Sequence, residues 1–84
     1  MNPLEAGFRE GFDTSKPLPP ETADGYYVEG FVKARIRAAR EYERLPVGHY
    51  PLPCDPLEVE AVLNHGGPQA ALRMIRPESL RPAV

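Results

Sequence analysis

Apolar and polar positions repeat with helical period over one long stretch, residues 21–45, ETADGYYVEGFVKARIRAAREYERL. Val28, Phe31, Val32, Arg35, Ile36, Ala39 and Tyr42 fall at spacings of three, four and seven, the stripe of an amphipathic helix. The stretch contains no proline, and as one helix it would run about 35 Å. Thr22 and Asp24 are N-cap candidates, Gly25 and Gly30 weaken the first turns, and Pro46 stops the helix. A second stripe runs along the same segment. Lys33, Arg37, Arg40 and Arg44 recur at i, i+4, i+7 and i+11, so four cations share a face. Arg35 lies nearer the apolar stripe and is expected to lay its stem over it.

The remaining elements are short. Asn2-Pro3-Leu4-Glu5 reads as cap, first-turn proline, apolar residue and glutamate, the opening of a helix. Leu4, Gly7, Phe8, Gly11 and Phe12 then share one face. Glycine inside a helix costs about 1 kcal/mol relative to alanine. Close approach by another helix would offset that, with Phe8 and Phe12 packing beside the gap. Residues 13–20, DTSKPLPP, form a linker of polyproline character. Asp55-Pro56-Leu57-Glu58 repeats the opening logic and predicts a helix over about 56–64, with Leu57, Ala61 and Val62 on one side. Gly66-Gly67 ends it. Pro68 starts a last helix, PQAALRMI, with Ala71, Leu72 and Ile75 inward.

The expected fold is all-α: a small bundle of three or four short helices around one long central helix, joined by proline-rich connectors. It divides into a glycine–aromatic helix pair (1–45), a proline-rich connector (46–56), a short helical hairpin (57–76) and a tail (77–84).

Composition changes the picture in two ways. First, 84 residues with eleven prolines and seven glycines leave room for only a thin core, because a chain of this size buries about 60% of its unfolded surface. Borrowed surface, from a second copy or a host protein, is an obvious remedy. Second, the formal net charge is −2, whereas dedicated nucleic-acid binders are usually basic overall. The cations nevertheless cluster between Lys33 and Arg44, while acids dominate from Glu5 to Glu29. Cys54 is the only cysteine, which excludes an intramolecular disulfide and suits a reducing, cytoplasmic setting. Neither a signal peptide nor an apolar run of membrane-spanning length is read.

Candidate chemistry is sparse. The stripe of Lys33, Arg37, Arg40 and Arg44 suits phosphates or an acidic protein surface. The alternative is a solvated face, neutralised by Glu41 pairing with Arg37 or Arg44 and Glu43 with Arg40. Tyr26 and Tyr27 are candidates for base stacking or for packing at the helix rim. Tyr50 and Leu52, in Tyr50-Pro51-Leu52-Pro53, are expected to be exposed apolar docking residues on a rigid connector. His49, Cys54, Asp55 and His65 lack the close pairs of a zinc site. A proline-flanked Cys54 lacks the scaffold of a nucleophile and reads as a packing residue. Gly66-Gly67 lacks the flanking pattern of a phosphate loop. No metal, cofactor or catalytic residue is assigned, and the chain is read as no enzyme.

Gly7-Phe8-Arg9-Glu10-Gly11, the proline-rich connector, and Tyr27-Val28-Glu29-Gly30-Phe31 followed by Ala34 resemble the ribosome modulation factor family. Those small, strongly basic proteins show Gly-aromatic-x-x-Gly, a loop with Cys-Pro-Tyr, then Trp-x-x-Gly-Trp and a nearby alanine. Here Tyr27 and Phe31 stand at the tryptophans, and the shorter connector has no cysteine before its prolines. The resemblance covers about residues 6–37. It implies two helices packed through their glycines and a ribosome-binding, hibernation-type role.

Two functions are thus expected. One is a non-catalytic binding or regulatory protein, an adaptor or inhibitor of a larger protein or ribonucleoprotein assembly. In size and composition it is like small phage and mobile-element proteins, anti-CRISPR inhibitors among them. The other is a ribosome- or RNA-associated factor binding through the basic helix face. A homo-oligomer is compatible with either, and a membrane with neither.

Overall fold

The computed structural model describes residues 2–41 and 52–76. Among them are four helices and no strand: α1 (Pro3–Gly11), α2 (Gly25–Arg40), α3 (Pro56–Gly66) and α4 (Pro68–Ile75). Arg44, Tyr50, His49, the end of the long predicted helix, most of the second connector and the tail lie outside the described residues.

Each helix starts where side-chain chemistry starts it. The Asn2 Oδ1 accepts from the Glu5 N–H at 2.8 Å, and Pro3 sits in the first turn of α1, where its missing N–H costs nothing. Asp24 caps α2, accepting from the N–H groups of Tyr26 at 2.8 Å and Tyr27 at 3.3 Å. The helix therefore begins at Gly25, four residues later than the apolar period alone predicts. Residues 21–23 turn instead, with the Ala23 N–H on the Pro20 carbonyl. Asp55 caps α3 through the Leu57 N–H at 2.9 Å. Gly67, at φ +91°, closes α3 and opens α4, a left-handed conformation that favours glycine.

α2 is buried on two sides. Val28, Val32, Ile36 and Ala39 join Val59, Leu63, Ala71, Leu72, Ile75 and Leu52 in one apolar core. All six stripe residues of the described stretch, from Val28 to Ala39, are buried. On its other side, α2 meets α1 backbone to backbone. A methyl built on Gly7 would overlap the Tyr27 carbonyl, one on Gly11 the Phe31 carbonyl, and one on Gly30 the Leu4 carbonyl. Three glycines thus permit the approach that their spacing suggested, and Phe8 and Phe12 stack edge-on beside it, centroids 4.9 Å apart. α1 packs on α2 alone, whereas α3 and α4 pack on α2 and on each other.

Two expectations about faces are corrected. α3 turns Val59 and Leu63 inward, with Val62 half-buried against the core as expected, while Leu57 is 63% exposed and Ala61 faces solvent. α3 has apolar residues on more than one face, and packing against α2 and α4 takes Val59 and Leu63, which leaves Leu57 outward in the first turn. Leu52, expected as an exposed docking residue, is only 2% exposed. The aliphatic residues of three short helices do not close the core by themselves, and Leu52 from the connector joins them.

Candidate functional site

The cationic stripe is the strongest candidate site. α2 presents Lys33, Arg37 and Arg40 to solvent, because the same period that buries Val32, Ile36 and Ala39 turns these positions outward. α3 runs alongside and supplies the opposite wall. Between them lies an open cleft of about 470 Å³, lined by Lys33, Ile36, Arg37, Arg40, Glu41, Glu60, Leu63 and Asn64. Its volume falls within the usual range of about 300–1,000 Å³ for binding sites.

The stripe is partly neutralised, and of the pairs its spacing proposes only Glu41–Arg37 lies within the described residues, where it is not formed. Lys33 Nζ lies 2.9 Å from Glu29, one turn back on α2. Arg40 Nη2 donates to Glu60 Oε1 of α3 at 2.9 Å. Glu41 pairs with no cation among the described residues, and Arg37 makes no ion pair among them. Glu60 had no signal in the sequence, since pairing across helices depends on how α3 packs.

Of the other candidates, Tyr26 stands 67% exposed at the opposite end of α2, where Asp24, Glu29 and Pro68 share a shallow concavity with it. Tyr27 lies half-buried against Phe31, ring centroids 6.4 Å apart. Leu52 belongs to the core and is not available for docking. Among the described residues, no three His, Cys, Asp or Glu side chains are placed to hold a metal ion. The Cys54 thiol packs against the core. Burial there raises its pKa, with smaller contributions from Glu58 and Asp55, which lowers the thiolate population and its nucleophilicity.

Arg35 does something its sequence position does not announce. Rather than reach for water, it is buried at 5% exposure. Its Nη2 donates to the carbonyls of Asp13 at 3.2 Å and Lys16 at 2.9 Å, and its guanidinium lies 4.8 Å from the centre of the Phe31 ring, a cation–π distance. Burial holds its pKa below the ordinary arginine value, partly offset by the Asp13 carboxylate; the group remains a cation at neutral pH. Arg76 Nη2 donates to the Pro19 carbonyl. Two guanidiniums thus grip the proline-rich segment between α1 and α2 by its backbone. An arginine inside an apolar stripe was the one visible signal.

The chain matches no family model, no curated protein and no solved structure. No helix of the described residues is long and apolar enough to cross a membrane.

Proposed function

We propose that this chain is a non-catalytic binding protein, an adaptor or inhibitor that docks on a larger assembly through the cationic side of α2. In this reading the four helices work as a small bundle organised on α2, inside a reducing compartment such as the cytoplasm. The observation that carries it is the cleft itself. Lys33, Arg37 and Arg40 line it together with Glu41, Glu60 and Asn64, above the buried Ile36 and Leu63, and a polar surface of mixed charge suits the rim of a protein partner. The same rim holds Glu41 and Glu60, which a phosphate backbone would have to pass.

The second reading, association with the ribosome or another RNA, draws on the glycine-mediated seating of α1 on α2, the arrangement implied by the resemblance to ribosome modulation factors. It requires the cations to act as a phosphate track.

Affinity capture from native lysate separates the two, using the intact chain and its Arg37→Glu/Arg40→Glu variant, each with and without ribonuclease. A defined complex that survives ribonuclease and disappears on charge reversal is expected. Loss on ribonuclease treatment, with steep weakening in salt, would favour the RNA reading. A complex indifferent to charge reversal would leave the stripe as solvated surface.

A further inference from the structure

The cleft between α2 and α3 restricts its own occupant. Its base is closed by Ile36 and Leu63, core residues only 4% and 7% exposed, and the long aliphatic stems of Lys33, Arg37 and Arg40 line its side. None of its described lining residues is aromatic, whereas single-stranded nucleic acid gains much of its affinity from stacking on aromatic rings. Glu41 and Glu60 interrupt the cations at the rim, so a continuous polyanion meets repulsion partway along. A short acidic segment of a protein needs no aromatic platform, and its discrete carboxylates oppose Glu60 only at Arg40 rather than meeting both rim acids along their length.

Resting on the binding-module reading, we infer that the cleft takes an acidic amphipathic helix of a partner protein, presenting one aliphatic side chain flanked by carboxylates a turn apart. The aliphatic side chain lies along the stems of the lining cations, above the buried Ile36 and Leu63. The carboxylates meet Arg37 and Arg40, which are themselves about one turn apart on α2. The guanidinium fork suits carboxylate geometry.

Glu60 gives the inference its sharpest consequence. Its Oε1 lies 2.9 Å from Arg40 Nη2, where an incoming carboxylate would have to bind. In the free protein Glu60 is therefore an internal competitor. Docking exchanges one carboxylate for another at Arg40, while Arg37, with no ion pair among the described residues, makes a new contact. Removing the Glu60 charge should strengthen binding, the opposite of what deleting a structural ion pair would do.

The test is fluorescence anisotropy on the intact chain with a labelled short helical peptide that carries leucine flanked by glutamates at one-turn spacing. Its glutamine analogue and an oligouridylate serve as comparison probes. The glutamate peptide should bind, with the glutamine analogue and the oligouridylate each about tenfold weaker or more. Arg37→Glu should weaken the glutamate peptide by a similar factor, and Glu60→Gln should tighten it roughly two- to fivefold. Both substitutions lie at the cleft rim, outside the core, and circular dichroism should match the unaltered chain. No binding of the glutamate peptide, equal binding of the glutamine analogue, tighter binding of oligouridylate, or no tightening on Glu60→Gln would each overturn the inference. A lysate complex that persists in Arg37→Glu would leave the binding-module reading standing and remove only this cleft from it.

Discussion

The two sides of α2 are held by different physics. Toward α3 and α4 the contact is side chain on side chain: Val28, Val32, Ile36 and Ala39 against Val59, Leu63, Ala71, Leu72 and Ile75. Stability there follows the apolar area withdrawn from water. Toward α1 the contact is backbone on backbone, through Gly7, Gly11 and Gly30. The rings of Phe8, Phe12 and the buried Phe31 pack beside that contact, but only glycine at the three positions lets the backbones meet. The first side is therefore vulnerable to subtraction and the second to addition.

The largest expected effect tests the first side. Leu72 has no exposed surface, and Leu72→Ala should cost about 2–5 kcal/mol, read as a lower urea midpoint with little change in slope. In a chain this small, that is much of the total. The second side calls for an addition. An exposed helical glycine changed to alanine normally gains about 1 kcal/mol. Gly30→Ala should do the reverse and cost about 1–3 kcal/mol, because the new methyl meets the Leu4 carbonyl and the Phe8 N–H, backbone atoms that no rotamer change can move. A stabilising Gly30→Ala would remove the contrast altogether.

Arg35→Met sharpens the comparison, since Arg35 holds the segment that joins the two sides. Methionine keeps the stem but leaves the carbonyls of Asp13 and Lys16 without this donor. A loss of about 1–3 kcal/mol is expected, with hydrogen exchange accelerated first between α1 and α2. The smallest effect belongs to Asp13. The Ser15 hydroxyl, and then the Ser15 N–H, hold its carboxyl below the usual carboxylate pKa. Its contribution is present above the unfolded carboxylate pKa of about 3.8 and is lost as pH falls through the lower folded value. Asp13→Asn should therefore flatten the acid limb of the stability curve slightly and leave the rest unchanged.

The starts of the helices were legible because they depend on local chemistry. Asn2-Pro3, Asp55-Pro56 and Pro68 each open the helix that the sequence predicts. The apolar stripe of α2 was legible because seven-residue periodicity survives any packing arrangement. Its first turn was placed too early because the apolar period carries no stop signal at residues 21–24, and only the Asp24 cap decides between turn and helix. The inward face of α3 was misread because Leu57, Val59, Ala61, Val62 and Leu63 offer two apolar faces, and only the neighbouring helices choose Val59 and Leu63. At the candidate site, the three described cations could be read from their spacing. Their partner Glu60 and the far wall of the cleft could not, since both depend on the tertiary placement of α3. Leu52 and Arg35 share one reason: proline-rich connectors look solvated in sequence, yet here one supplies a core residue and the other supplies the carbonyls that hold Arg35.

The segment between α1 and α2 is gripped by Arg35 and by Arg76, and the second contact spans 57 positions of sequence. During synthesis the first two helices can pair, and Arg35 can hold Asp13 and Lys16, long before Arg76 emerges, but the Pro19 end of the stretch lacks its second clasp until α4 is complete. The last helix thereby works as a latch on the first connection made. A chain interrupted before Arg76 should keep its helices and become more open to proteases at the Pro19 end of that linker.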